Sequence, residues 1–275
     1  RRPADGGSLM PEGHTIHRAA RLHAAALGEG PIAVASPQGR FTEGARLLDG
    51  STLEGIEAVG KHLFYHWDRR PILHVHLGLF GRFSTFTTDT APEPSPNARL
   101  TMTGDATIHL SGPTICELLD PMQAERVKGR LGPDPLDREA DPDAFVEALD
   151  RRSIPIGAAL LDQSVVAGIG NVYRAEMLFL EGIHPDRPAH STSVDERRRL
   201  WVRAVELMRI GEDLGRIVTM HPKEVGAGNH RAIPARARLY VYKRSFQPCW
   251  RCGTEITSWD VGGRRIWACS TCQPS

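Results

Sequence analysis

The spacing of apolar residues divides the chain into a strand-rich part and a helix-rich part. Between residues 51 and 115 apolar and polar positions alternate with the period of β-strands. In residues 61–67 the odd positions are predicted to face one side of a strand and the even positions the other. The odd positions carry Leu63, Tyr65 and Trp67, and the even positions carry His62, Phe64 and His66. Before these strands, residues 12–27 have helical spacing. The first half is therefore predicted to be a β domain with an opening helix.

After Leu136 the spacing becomes helical. Asp141 followed by Pro142 provides an N-cap and a proline at the first helical position, which predicts a helix from that point. Ser193 and Glu196 have the spacing of a capping box. Helical segments are predicted at residues 154–163, 171–182 and from 194 onward. The Pro-rich residues 87–99 are expected to form a loop, and residues 129–143, with closely spaced turn signals, a domain boundary.

Charge is unevenly distributed along the chain. Although 34 basic and 33 acidic residues nearly balance, residues 151–275 carry 19 basic and 12 acidic residues, or +7, and residues 1–150 carry 15 and 21, or −6. A basic C-terminal half suits a phosphate-bearing partner, but an uneven solvated surface explains the charges equally well. No stretch is apolar enough for a membrane span or a signal peptide, so a cytoplasmic protein with no membrane partner is expected.

Four of the five cysteines form two CxxC pairs, Cys249 with Cys252 and Cys269 with Cys272, separated by 16 residues. This spacing is typical of a structural zinc site, and a disulfide framework is less favoured in a cytosolic chain. Four sulfur ligands leave no open position on the metal, so no catalytic metal is expected. The fifth, Cys116, is interpreted as a small buried apolar residue.

The tripeptide of Met10, Pro11 and Glu12 offers a nucleophile. A small residue after an initiator methionine allows that methionine to be removed, which would expose the secondary amine of Pro11. An α-amino group has an ordinary pKa near 8, so a useful fraction is unprotonated at neutral pH. Glu12 could move protons beside it. Taken alone this tripeptide is a common start and has little specificity.

Four stretches together resemble the formamidopyrimidine-DNA glycosylase and endonuclease VIII family. They are MPEGHTIHRAA, AVGKHLFYHW, LLDQSVVAGIGNVYRAEMLFLEGIHP and the terminal CWRC…CSTC. They occur in the family's order and span nearly the whole chain from Met10, and the PEG opening is more similar to the endonuclease VIII branch. The resemblance implies an α+β fold with an N-terminal β-sandwich and a C-terminal helix–two-turn–helix domain that carries a β-hairpin zinc finger.

The resemblance divides the chain into five segments. They are an extension or mis-assigned start at 1–9, a catalytic β-sandwich at 10–125, a linker at 126–140, a helix–two-turn–helix domain at 141–232 and a four-cysteine zinc finger at 233–275. The activity implied is base-excision repair by a DNA glycosylase with AP-lyase activity, acting on oxidised bases with pyrimidines favoured. Damaged DNA, double- or single-stranded, is the implied partner of a monomer associated with the nucleoid.

The family's site residues transfer to positions in this chain that match its motifs. Pro11 matches the nucleophile that forms an iminium ion before β/δ-elimination, Glu12 the catalytic carboxylate, and Lys61 a strand lysine that contacts phosphate and assists catalysis. Asn171, at a predicted helix start, matches a phosphate-binding residue, which is physically reasonable because helix N-termini attract anions. Arg264 matches the arginine at the finger tip, with Arg265 as second choice.

A glycosylase that extrudes a base needs a side chain to fill the gap. Leu79 and Phe80, between Gly78 and Gly81, fall where the family carries its inserted wedge. Without the resemblance they would be interpreted as core residues of a hairpin.

Two departures from the family pattern bear on the chemistry. Nine residues and Met10 precede Pro11, and a proline inside a chain has no amine, so if the extension is retained Lys61 or another lysine would have to act. Thr15 replaces a family glutamate, which leaves the range of lesions open. Residues 223–238, expected to form the loop over the flipped base, carry no readable specificity code.

Three other hypotheses remain at this stage. A non-catalytic binder of damaged DNA with the same fold needs no free amine. A zinc-ribbon module for protein partners needs only the last 30 residues and leaves the GIGN motif unexplained. A histidine metal site is less favoured, because no carboxylate is matched to the candidate ligands His62, His66, His74 and His76.

Overall fold

The structure, a computed structural model, describes residues 11–275 in two compact units. The first contains residues 11, 12 and 16–128, and the second contains residues 13–15 and 129–275. The predicted extension at 1–9 and the residue Met10 lie outside the described residues. Within the described part of the chain, no helix has the length and apolar character needed to cross a membrane.

Eight strands make up most of the first unit, with short helices between them. The helices are α1 (Gly13–Leu27, whose first three residues belong to the second unit), α2 (Thr42–Leu48) and α3 (Pro121–Lys128). The strands are β1 (Pro31–Ala35), β2 (Ser51–Val59), β3 (His62–Trp67), β4 (Ile72–His76), β5 (Arg82–Thr87), β6 (Ala98–Thr103), β7 (Ala106–Ser111) and β8 (Ile115–Leu119).

The strands form two antiparallel layers. Their order is β5-β7-β6-β1-β2-β3-β4-β8, and β1 is joined to β2 only through Pro31 opposite Thr52 and Ile32 opposite Ser51. The four strands on each side of this short junction contribute to one buried apolar cluster, which contains Leu63 from β3 and Leu110 from β7. The predicted β-sandwich with its opening helix is confirmed.

The two faces of β3 have different surroundings. Leu63, Tyr65 and Trp67 enter the main core, as their alternation predicts. Phe64 faces the opposite side and packs in a separate small cluster with Ile72, Leu119 and Ala124, the last of which belongs to α3. The even-numbered face of β3 is therefore partly covered by a helix.

The second unit contains four α-helices and one β-hairpin among the described residues. Its helices are α4 (Pro142–Asp150), α5 (Ile156–Ala159), α6 (Asn171–Leu180) and α7 (Val194–Leu214), and its strands are β9 (Thr257–Val261) and β10 (Arg264–Ala268). The predicted start of α4 is confirmed, since the Asp141 carboxylate accepts from the Asp143 N–H. The capping box at Ser193 and Glu196 is confirmed at the start of α7.

The segment predicted as a helix at 154–163 is helical only over Ile156–Ala159, and the prediction was too long. The Gln163 side chain explains why the chain leaves the helix here. Its Nε2 donates to the Leu161 and Ile169 carbonyls at 3.0 Å each, and its Oε1 accepts from the Gly168 N–H at 3.0 Å. These bonds satisfy backbone groups of two successive turns, so the chain can change direction before α6 without leaving polar groups unpaired.

Candidate functional site

Pro11 and Glu12 lie immediately before α1. Pro11 is half-buried, and Glu12 occupies the N-cap position with extended backbone and only 1% of its surface exposed. The N-terminal end of a helix carries a partial positive charge, which favours a carboxylate at this position. A buried acid next to Pro11 is thus built into the start of the helix.

The residue after Glu12 is Gly13, and the surrounding structure requires a small residue at this position. In the second unit its N–H donates to the Gly168 carbonyl at 2.8 Å. A Cβ on Gly13 would lie 2.6 Å from the Met208 Cε and 2.9 Å from the Gly168 Cα, closer than real contacts allow. His14 packs edge-on to Tyr173, with 5.3 Å between ring centres. The glycine of the PEG opening is therefore required for close approach to the two-turn segment.

Lys61 directly precedes β3, after a turn at Gly60 with φ of 59°. The lysine acts electrostatically on two histidines across this part of the sheet. Burial, followed by the charges of His76, His74 and Lys61, lowers the pKa of His62 to about 3. Burial and Lys61 also lower the pKa of His76. Both imidazoles are consequently neutral at physiological pH.

A hydrogen-bonded chain of side chains runs beside Lys61. His62 Nδ1 lies 2.9 Å from His74 Nε2, and His74 Nδ1 lies 3.0 Å from Glu117 Oε1. Glu117 comes from β8 and is the carboxylate that the sequence analysis did not match to the histidines. Even so, the only group of potential metal ligands within residues 11–275 is the cysteine cluster, so the described residues do not favour a histidine metal site.

Leu79 and Phe80 form the tip of the turn between β4 and β5. Gly78 has φ of 65°, and the Gly81 N–H donates to the Leu77 carbonyl at 2.9 Å, which closes the turn. Leu79 is 47% exposed and Phe80 is 84% exposed. The interpretation of these two residues as hairpin core is therefore wrong, and the first unit presents an apolar tip to solvent.

Asn171 is the first residue of α6 and is held by a buried arginine. Its Nδ2 donates to the Arg265 carbonyl at 3.0 Å, and its Oδ1 accepts from Arg174 Nε at 2.9 Å. Arg174 is fully buried and also donates to four carbonyls, those of Gly157, Val261, Arg264 and Arg265. Arg174, which was not identified from the sequence, ties the start of α6 to the hairpin of β9 and β10.

Arg264 lies directly after the hairpin turn. Gly262 and Gly263 form the turn with φ of 63° and 72°, the left-handed pair that a tight two-residue hairpin needs. Arg265 forms an exposed ion pair with Asp260, at 3.5 Å from Nε to Oδ1. Within residues 11–275, Arg264 forms no ion pair with an acidic residue, and its side chain is exposed. Asn171 and the arginine pair are thus brought to one end of the second unit.

The four predicted cysteine ligands lie together. Their Sγ atoms are all within 4.8 Å of one another, with 3.9 Å between Cys249 and Cys272 and 3.4 Å between Cys252 and Cys269. Hydrogen bonds from Thr254 lower the pKa of Cys252 to about 6, whereas burial raises the pKa of Cys269 and of Cys272. The thiolate is the form that binds a metal, and Cys252 is a member of the cluster that favours it without one. The cluster is a possible metal site, as the spacing predicted.

The segment 223–238 is held by one acceptor outside it, Glu176, and by one within it, Glu224. The fully buried Glu176 of α6 accepts from the N–H groups of Tyr240, Val241 and Tyr242 at 2.7–2.9 Å and from the Thr219 hydroxyl. Glu224 Oε1 accepts from the Tyr240 hydroxyl at 2.8 Å. These acceptors fix both ends of the segment, and neither was identified from the sequence.

Known proteins of one family match almost the entire chain. The model for the formamidopyrimidine-DNA glycosylase N-terminal domain matches residues 10–121, and that for the H2TH domain of the same enzymes matches residues 131–221. Endonuclease 8 1 of Mycobacterium tuberculosis is 42% identical over 268 residues, covering 96% of this chain and all of that protein. The formamidopyrimidine-DNA glycosylase of Acidiphilium cryptum is 34% identical over 88% of this chain and 89% of its own.

Solved structures give the same result. The Lactococcus lactis Fpg in complex with DNA containing an abasic site has a TM-score of 0.79 and 27% identity, covering 96% of this chain and all of that one. The same enzyme in complex with Fapy-dG DNA has a TM-score of 0.77 and 27% identity, covering 95% and 99%. The similarity spans both units, which excludes an isolated zinc-ribbon module and favours an enzyme over a non-catalytic binder. The chain belongs to the formamidopyrimidine-DNA glycosylase and endonuclease 8 family of DNA repair enzymes, which are DNA glycosylases with AP-lyase activity.

Proposed function

We propose that this enzyme excises oxidised bases, pyrimidines favoured, with Pro11 as nucleophile and Glu12 as the acid and base beside it. The observation that carries the proposal is the position of Glu12, buried at the positive end of α1 and adjacent to Pro11. The match to the N-terminal family model begins at residue 10, which supports a functional form in which Met10 is removed.

The chemistry follows from a free prolyl amine. Its nitrogen attacks C1′ of the damaged nucleotide, the bond from C1′ to the base breaks, and the departing base takes up the proton that the prolyl nitrogen loses. Loss of the sugar ring C–O bond gives an iminium ion, and Glu12 supplies the proton to the ring oxygen. The iminium acidifies the C2′ proton, whose removal expels the 3′ phosphate. A second elimination at C5′ completes β/δ-elimination, and water then releases the sugar fragment from Pro11.

Phosphate binding is assigned to three residues. Lys61 supplies a cation on the first unit. On the second, Asn171 lies at the N-terminal end of α6, where free N–H groups attract anions. Arg264 is preferred to Arg265 at the finger tip because Arg265 is already paired with Asp260. Leu79 and Phe80, exposed in their turn, are assigned to fill the gap left by the flipped nucleotide.

A single structural zinc ion fits the cysteine cluster. Zinc–sulfur bonds of about 2.3 Å in a tetrahedron place sulfur atoms roughly 3.8 Å apart. The distances between Cys252 and Cys269, 3.4 Å, and between Cys249 and Cys272, 3.9 Å, bracket that value. Cys249, Cys252, Cys269 and Cys272 would hold the ion, which stabilises the hairpin that carries Arg264 and takes no part in the chemistry.

The preferred lesion, the oligomeric state and the location of the enzyme are also part of the proposed function. Pyrimidine lesions are favoured because identity to the M. tuberculosis endonuclease 8 1, at 42%, exceeds the 34% to the A. cryptum formamidopyrimidine-DNA glycosylase. The enzyme is proposed to act as a monomer in the cytoplasm, at the nucleoid, on double- or single-stranded DNA.

Two forms of the protein test the role of Pro11. One begins at Pro11, and the other retains residues 1–10; both are mixed with a duplex that contains an abasic site, and strand nicking is measured. The form that begins at Pro11 should nick the strand, and the extended form should bind it without nicking. Equal nicking by the two forms would contradict the mechanism.

A further inference from the structure

Arg251 lies inside the first CxxC pair but contacts the start of segment 223–238. Its backbone N–H donates to Cys249 Sγ, one of the four sulfur atoms of the cluster, at 3.4 Å. Its Nη2 lies 3.3 Å from Glu224 Oε1, near the beginning of the segment. All of these residues belong to the second unit. A single residue therefore joins the cysteine cluster to this segment.

Two buried aromatic rings also hold the guanidinium of Arg251. Its Cζ lies 5.3 Å from the ring centre of Phe179 in α6 and 5.0 Å from that of Tyr240. The two rings stack on each other with 5.1 Å between centres. An exposed ion pair contributes little by itself, because water screens the charges, but a cation beside aromatic rings gains further attraction. The ion pair with Glu224 thus has a fixed support.

Glu224 extends this contact to the backbone of the segment. Its Oε1 also accepts from the Tyr240 hydroxyl at 2.8 Å, and that hydroxyl accepts from the His221 N–H at 3.1 Å. The His221 ring accepts from the Lys223 N–H at 3.3 Å and caps the 3₁₀ turn Pro222–Val225. A carboxylate only accepts, so the tyrosine must donate to it. A continuous set of contacts runs from the cysteine cluster to the first turn of the segment.

We propose that Arg251 is a positioning residue through which a metal at the cysteine cluster holds the start of segment 223–238. Residues 250–252 form a turn, and the sulfur atoms of Cys249 and Cys252 lie at its two ends. An ion bound to both sulfur atoms fixes this turn, as metal ligation fixes the residues around a site. It thereby fixes the direction of the Arg251 side chain. The metal acts on the segment as well as on the hairpin that carries Arg264.

This link affects one step of the proposed reaction more than the others. The inference rests on the proposed function, in which segment 223–238 is expected to cover the flipped base. A contact with the base matters only while the base is attached to the sugar. Loosening the segment should therefore slow base excision and leave the elimination at an abasic site nearly unchanged. Arg251 would influence which lesions are removed and not the chemistry at Pro11.

Hydrogen–deuterium exchange of the chain beginning at Pro11 tests the link. The informative peptide covers residues 221–228, in which the Ala227 N–H donates to the Pro222 carbonyl at 2.9 Å. Zinc-loaded Arg251→Met should exchange about fivefold faster in this peptide than the zinc-loaded unmodified chain. Removal of zinc by a chelator should cause a similar increase in the unmodified chain and little further increase in Arg251→Met. Native mass spectrometry verifies that the variant retains its zinc.

The matched control is Arg265→Met, which removes an exposed ion pair with Asp260 inside the finger hairpin. It should leave exchange in residues 221–228 unchanged. Because zinc removal also loosens the finger, Glu224→Gln tests the link with the cluster intact. It should speed exchange, and combining it with Arg251→Met should add little, as for residues that act through one another. Unchanged exchange in zinc-loaded Arg251→Met, or an equal further increase on chelation, would overturn the link.

Two DNA substrates separate this inference from the proposed function. On a duplex with an oxidised pyrimidine, Arg251→Met should slow single-turnover base excision about fivefold, and nicking at a preformed abasic site should change by less than about twofold. Equal slowing on both substrates would overturn the role in lesion selection. Absence of base excision by the unmodified chain beginning at Pro11 would overturn the proposed function, and the exchange measurement would still decide the link.

Discussion

The two units hold their candidate residues in different ways. In the first, Pro11, Lys61 and the Leu79–Phe80 pair lie at the ends of helices and strands, and an apolar core supports them. In the second, Asn171 and the finger hairpin are joined by a buried arginine, Arg174, with five hydrogen-bond acceptors. The proposed nucleophile, Lys61 and the wedge thus lie where helices and strands begin or end, whereas Asn171 and the hairpin that carries Arg264 are held by a buried polar hub, Arg174 with its acceptors.

The largest expected effect is on the rate of base excision and not on DNA affinity. Glu12→Gln keeps the shape of the side chain but removes its proton-transfer capacity. We expect the single-turnover rate of base excision to fall by a factor of about 10² to 10⁴, the range for a general acid or base. The dissociation constant for a non-reactive abasic analogue should change little. Loss of DNA affinity in step with the rate would mean that Glu12 supports the fold and not the reaction.

Replacing Arg174 should lower the stability of the second unit and leave that of the first unchanged. Arg174→Met fills similar space but removes the donor to the Asn171 Oδ1 and to four carbonyls, of which that of Arg265 keeps Asn171 Nδ2 as a donor. We expect destabilisation by about 3–5 kcal/mol, as for breaking a buried charged network. Denaturant unfolding followed by Trp201 and Trp267 fluorescence would measure it. Unchanged stability would contradict this prediction, because it would show that water or neighbouring groups replace the hydrogen bonds of the arginine.

Acid should weaken the first unit through a buried histidine. Burial lowers the pKa of His23, which lies 2.8 Å from the Tyr65 hydroxyl, to about 4. The unfolded chain binds this proton near pH 6.5 and the folded one only near pH 4, so stability is unaffected above 6.5 and is lost as pH falls between these values. The slope is about 1.4 kcal/mol per pH unit for each such group. His23→Gln should reduce the slope in thermal denaturation scans by the share of this one group and leave the share of His62 and His76. A slope equal to that of the unmodified protein would show that His23 does not contribute.

The smallest expected effect distinguishes two neighbouring arginines. Arg264→Ala should weaken DNA binding by about 1–2 kcal/mol and lower the salt dependence by one phosphate contact. Arg265→Ala, which removes an exposed ion pair with Asp260, should change affinity by less than about 0.5 kcal/mol. Titrations at several salt concentrations measure both, and a reversed order would move the phosphate contact to Arg265.

Short sequence patterns predicted several helix starts and the faces of a strand, but they did not predict the buried network around Arg174. The N-cap at Asp141, the capping box at Ser193 and the two faces of β3 follow from short-range rules of capping and alternation, and the structure confirms them. Four cysteines at metal-ligand spacing likewise meet in one cluster. These features depend on residues close in sequence or on a strongly specific spacing.

The residues that the sequence analysis missed act over long distances. Arg174 bonds carbonyls up to 91 residues away, and Glu117 reaches a histidine 43 residues away. Neither residue type indicates burial, because arginine and glutamate are ordinarily exposed. Such contacts depend on the complete register of strands and helices, which no local pattern contains.

Proline as the nucleophile is the central claim, and one measurement tests it directly. The enzyme beginning at Pro11 is mixed with a duplex containing an oxidised pyrimidine, the iminium is reduced with borohydride, and the covalent adduct is digested and sequenced by mass spectrometry. The account predicts that the sugar remnant is attached to the nitrogen of Pro11. An adduct on Lys61 or on any other lysine, with Pro11 unmodified, would contradict it.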